Sequence, residues 1–171
     1  PGHSGPVASR IHASDRMKPL KITLSLGLLA ATGLLVGCGG DVKDTHPQQW
    51  VSKRQALFKN FTRTLEPMGL MARGRKDFDK AEFRASALAL QDLASQPWPL
   101  FTSDSNYAPT RTKPSAWLQP AEFKQAQDHY IDSVNRLVAV SDSGDLVAIK
   151  DAVHQVEQSC KSCHDHFRND R

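Results

Sequence analysis

Five consecutive residues near the end of the chain carry its most specific chemistry: Cys160-Lys161-Ser162-Cys163-His164. A Cys-x-x-Cys-His run reads as a site of covalent haem attachment. The two thiols add to the haem vinyl groups and form thioethers. The histidine beside the second cysteine then meets the iron from one face, as its proximal axial ligand. Two other chemistries use similar residues. A zinc site wants about four protein ligands, and no second Cys/His pair is present, although His154 and His166 are near in sequence. A thioredoxin-like redox pair expects a βαβ context, and no good strand runs occur.

These residues need a scaffold, and the apolar spacing supplies helices. Leu146, Ile149, Val153, Val156, Cys160, Cys163 and Phe167 recur at intervals of three and four. Both cysteines therefore lie on the buried stripe of an amphipathic helix, with His164 one turn beyond Cys160. Phe123, Ala126, Tyr130, Val134 and Leu137 predict another helix from Pro120, ended by Ser143-Gly144. A helix over about 78–95, capped by Asp77, carries one stripe of Phe83, Ala87, Leu90 and Leu93. A second stripe has Ala81, Ala85, Leu88 and Ala89, which fits a helix with more than one neighbour. The first helix is expected over 47–66, with Thr45 as N-cap and Pro67 as a kink or stop. A further turn could carry Met68 and Met71 before Gly74. Between the second and third helices, residues 96–119 form a long loop rich in proline. Trp98, Phe101, Tyr107 and Trp117 predict that it packs on the helices. The expected fold is all-α: an antiparallel four-helix bundle with this loop between helices two and three.

The start of the chain has another purpose. Residues 1–16 precede Met17 and are set aside as upstream or extraneous residues. Residues 17–37 read as a signal peptide, with Lys18 and Lys21 before an apolar run that ends at Cys38. Leu35-Val36-Gly37-Cys38 looks like a lipobox, which implies cleavage before Cys38, a lipid on its sulfur and a tether over 38–46. The bundle then occupies 47–171. Gly39 after the lipidated cysteine, with no Asp there, resembles lipoproteins sent to the outer membrane, so a periplasm-facing location is expected. Four of the 22 basic residues and one of the 18 acidic residues precede Cys38, which leaves 18 basic against 17 acidic. So small an excess removes the main argument for a nucleic-acid partner. With Cys38 taken by lipid and the other two cysteines in one motif, none is left for a structural disulfide, and a covalent cofactor would be the staple. No general base, nucleophile or oxyanion constellation stands out, so an electron-transfer or gas-binding protein is expected rather than a hydrolytic enzyme, with reductase-like activity at an open haem left open. A structural or metal-binding lipoprotein without haem remains a competing reading, and it predicts a colourless protein.

Cys160-Lys161-Ser162-Cys163-His164-Asp165-His166-Phe167-Arg168 on the last of four helices resembles the class II cytochromes c, meaning cytochrome c′ and its low-spin c-556 relatives. Arg54-Gln55, Ala116-Trp117 and Phe123-Lys124 resemble further family positions in the expected order. The resemblance implies haem c, with Arg54 and Gln55 near the propionates and Arg168 beside the proximal pocket. It places Phe58, four residues after Arg54, over the distal face of the haem. The c-556 relatives have a ligating methionine there; phenylalanine has no donor atom, which implies five-coordinate iron and an apolar pocket for nitric oxide or carbon monoxide. The alternative is a six-coordinate electron carrier with Met68 or Met71 on the iron. A redox partner protein and a homodimer through helices one and two are also implied.

Overall fold

The computed structural model describes residues 42–170, all within the compact unit Gly39–Arg171. Residues 1–16, the signal sequence, Cys38 and the first part of the tether lie outside the described residues. Four long helices are present: α1 (Trp50–Ala72), α2 (Lys80–Leu93), α4 (Pro120–Val140) and α5 (Leu146–Phe167). The connection between α2 and α4 contains a 3₁₀ turn, Trp98–Leu100, and a one-turn helix, α3 (Ser115–Leu118). Helix α1 packs on α2 and α5, and α4 packs on the same two, which closes a ring of four around one core. The architecture is the expected four-helix bundle.

Helix starts follow local side-chain chemistry. Asp79, not Asp77, caps α2: its carboxylate accepts the Glu82 N–H at 2.9 Å. Asp145 caps α5 by accepting from Val147 N and Ala148 N at 2.9 and 3.2 Å. Helix α1 begins later than expected, because Pro47 lies in a turn and Gln49 adopts a left-handed conformation with φ 49°. Asp44 takes the role expected of Thr45. Its carboxylate accepts the Ser52 N–H at 2.9 Å and the His46 N–H at 3.2 Å. Burial alone would raise the Asp44 pKa, but these N–H groups and the Tyr107 hydroxyl outweigh it and hold the group below its usual range.

Pro67 does not end α1, which runs through it to Ala72. A proline inside a helix costs about 3 kcal/mol. Beyond it, Met68 is wholly buried and Met71 nearly so, and both belong to the main core. The packing of that extra turn offsets the lost backbone bond. Gly74 then turns the chain with φ 66°. The main core joins Met68, Phe83, Leu90, Val134, Leu137, Ile149, Val153 and Val156, each at most 2% exposed. The second stripe of α2 is different from expectation: Ala81, Ala85, Leu88 and Ala89 face outward.

Candidate haem site

Cys160, Cys163 and His164 sit on the last two turns of α5, and the long α2–α4 connection builds much of what surrounds them. Cys160 packs against the main core. Cys163 packs against a second, smaller cluster of Ala116, Phe123 and Phe167. The thiols, three residues apart on one helix face, therefore stand at the seam between two apolar clusters. Both are free and half-buried. Burial, with the neighbouring Cys163, pushes the Cys160 thiol up to about 11, and burial pushes Cys163 up to about 11. His164 is shifted the other way. Burial first, then the positive charges of Arg168 and Arg111, lowers its pKa, which favours the neutral imidazole that a metal requires.

The end of α5 is clasped by the connection. The last four carbonyls of a helix lack partners within it. Here His164 O accepts from Arg168 N at 3.0 Å, and Phe167 O from Lys113 N at 2.8 Å. Asp165 O accepts from Lys113 Nζ at 2.8 Å, and His166 O from the Ser115 hydroxyl at 3.4 Å. A single antiparallel bridge, Thr112 to Arg168, completes the clasp. Arg168, proposed from sequence at the haem periphery, lies with Nη1 3.5 Å from His164 Nδ1.

On the α1 side, Phe58 is half-buried among aromatic rings. Its centroid is 5.5 Å from Phe61, 5.9 Å from Trp98 and 6.4 Å from Phe101. Phe61 stacks on Tyr130 at 5.2 Å, and Phe101 meets Phe123 at 4.9 Å. The cluster is not wholly apolar: the Trp98 Nε1–H and the Tyr130 hydroxyl are buried with no partner among the described residues. Arg54, another sequence candidate, is 2% exposed and tied to the connection. Its guanidinium donates to Leu100 O (2.8 Å), Ser105 Oγ (2.7 Å), Ser105 O (3.1 Å) and Thr110 Oγ1 (3.2 Å). It also lies 4.4 Å from the centre of the Phe101 ring. Gln55 is exposed. Among the described residues no three of His, Cys, Asp and Glu group as a bare metal ion would require.

A family model described as cytochrome c′ matches residues 49–168. The chain belongs to the cytochrome c′ family. Curated cytochrome c′ from Alcaligenes xylosoxydans xylosoxydans is 31% identical over 122 residues, 71% of this chain and 94% of that protein. Two solved structures of cytochrome c prime from Alcaligenes xylosoxidans also match. One is a variant with carbon monoxide bound, at TM-score 0.69 and 29% identity, covering 75% of this chain and all of that one. The other is a ferrous variant with bound NO, at TM-score 0.70 and 28% identity with the same coverage. This cytochrome c′ relative is accordingly a haem c protein, of an electron-transfer or gas-binding family rather than a classical enzyme. The residues fit the group. Two protonated thiols at the seam would supply the thioether sulfurs, and the neutral His164 imidazole would supply a nitrogen for the iron.

The thiols and histidine were named from sequence by a short motif. The walls formed by Phe61, Trp98, Phe101 and Tyr130 were not. Their only signal was the density of aromatic residues in the proline-rich connection and one tyrosine on the α4 stripe.

Proposed function

We propose that this protein is a lipid-anchored, periplasm-facing gas-binding cytochrome, with five-coordinate iron cycling between Fe(III) and Fe(II). Cys160 and Cys163 hold the porphyrin, and His164 takes one face of the metal. The haem supplies the redox change and the open coordination position for a small diatomic gas, nitric oxide above all. The protein supplies the enclosure that decides what reaches it. A redox partner protein would deliver the electron.

The observation that carries this reading is Phe58, a side chain with no donor atom, packed among Phe61, Trp98 and Phe101. The methionines that could ligate instead are elsewhere. Met68 is wholly buried in the core, ten residues beyond Phe58, which is about 15 Å along α1. Met71 lines a groove of about 590 Å³ with Phe78 and Ile149. Ile149 itself lies eleven residues before Cys160 on α5, about 16 Å away along the axis. Relatives with carbon monoxide and NO bound support the choice of ligand class.

The reduced protein should give a broad high-spin spectrum that changes on adding carbon monoxide. Replacing Met68 or Met71 by leucine should leave that spectrum as it was. A sharp low-spin α-band that disappears in either variant would replace this reading with the electron carrier. The outward stripe of Ala81, Ala85, Leu88 and Ala89 on α2 supports a homodimer, and light scattering at a single chain's mass would remove that part. Anchoring through Cys38 is tested by the mass of the mature N-terminus, where an unmodified cysteine excludes it.

A further inference from the structure

Tyr130 presents a polar atom where the packing asks only for a ring. The residue is 4% exposed, and its hydroxyl has no hydrogen-bond partner among the described residues. The ring stacks on Phe61 with centroids 5.2 Å apart and planes at 20°, and it meets the Trp98 ring edge-on at 6.2 Å. Those two contacts would be served as well by phenylalanine. The hydroxyl instead incurs the desolvation penalty of an unmet donor, about 1–3 kcal/mol. Buried hydroxyls left unpaired by the protein are uncommon and call for an acceptor from outside the chain.

The surroundings say where that acceptor would come from. Phe61 and Trp98 also flank Phe58, so the Tyr130 ring is part of the same aromatic group. Cys160 packs against the core cluster that contains Tyr130. Tyr130 thus belongs to the one core cluster against which both Phe58 and Cys160 pack. Burial first, and then Cys160, moves the phenol well above its usual value, so the hydroxyl keeps its proton and can donate it.

We propose that the Tyr130 hydroxyl donates a hydrogen bond to the ligand bound at the open iron position. It thereby selects diatomics whose outer atom gains negative charge on binding. This rests on the five-coordinate reading above. An otherwise aromatic enclosure ranks gases by size and lack of charge alone. A hydroxyl donor there adds discrimination by polarity, and it is strong because no water competes; the Trp98 Nε1–H is a second buried donor of the same cluster, which the test must separate from it.

The test is the vibrational spectrum of the ferrous holoprotein with carbon monoxide, in H2O and D2O, for the native chain and for Tyr130→Phe. In the native protein the C–O stretch should move on transfer to D2O. In Tyr130→Phe it should rise to a higher frequency and lose that isotope sensitivity. Carbon monoxide should also leave the variant about 2- to 10-fold faster, the equivalent of one neutral hydrogen bond. The isotope shift is read on the native protein even if Tyr130→Phe folds poorly, and Trp98→Phe, which removes the other unpartnered donor, should keep it; its loss in Trp98→Phe would overturn the Tyr130 role. Carbon monoxide bound with an identical stretch in both proteins, insensitive to D2O, overturns the Tyr130 role and leaves the open site intact. Failure of the native protein to bind carbon monoxide at all overturns the open site itself, and with it this inference.

Discussion

Cys160→Ala combined with Cys163→Ala should remove covalent haem entirely, leaving a chain without the haem's mass increment. Both sulfurs lie at a seam between two apolar clusters, and nothing else in the described residues can form a thioether. The cost to the fold should also be large. A covalently held haem stays on the unfolded chain as well, so it stabilises the fold through its burial and the His164–iron bond, which only the native state makes. Losing that buried apolar group should cost on the order of 5 kcal/mol, comparable with the whole stability of an ordinary domain. The double variant should therefore melt well below the native protein, or fail to accumulate. Intact-mass measurement and the pyridine haemochrome, after expression with the cytochrome c maturation machinery, check the first part; thermal melting checks the second. A double variant that keeps the native mass increment would refute the attachment outright.

Arg54→Met should destabilise the fold by about 3 kcal/mol without preventing haem attachment. Four hydrogen bonds run from this one guanidinium to Leu100, Ser105 and Thr110. Methionine fills similar volume but leaves those buried oxygens unpaired, and the stacking on Phe101 loses its charge. For a domain of this size the melting temperature should fall by roughly 6–12 °C. Arg54→Lys should recover only a part, because an ammonium cannot span the same fork of acceptors. The melting temperatures of the two variants check this, with the haem content as control. A loss below 1 kcal/mol in Arg54→Met would mean that the connection is held by its aromatic residues alone.

The parts of this fold visible in sequence are those set by neighbours along the chain. Helices α4 and α5 follow from three-and-four spacing, with Pro120 opening α4 and Ser143-Gly144 in the turn between the two. The candidate attachment motif is equally local, because its chemistry is confined to five consecutive residues. The misreadings share a cause. Pro67 is a local signal to stop, but burial of Met68 and Met71 outweighs it. Thr45 is a reasonable cap by type, yet the chain bends so that Asp44 reaches Ser52 instead. The partners of Arg54 lie 46 to 56 residues away, and no short pattern announces them. Walls made by Trp98, Phe101 and Tyr130 likewise exist only once the connection has docked.

That docking has a kinetic side. The α4–α5 pair joins helices adjacent in sequence and can form early, as local contacts do. The clasp pairs Lys113 with Phe167 and Ser115 with His166, and the Arg54 fork reaches Ser105, each across roughly half a hundred residues. Contacts of such separation bear a larger loop-closure entropy and form late. The terminal turns of α5 are thus among the last parts of the bundle to become enclosed. Their sulfurs stay within reach of an incoming porphyrin while the rest of the helical framework is already assembling.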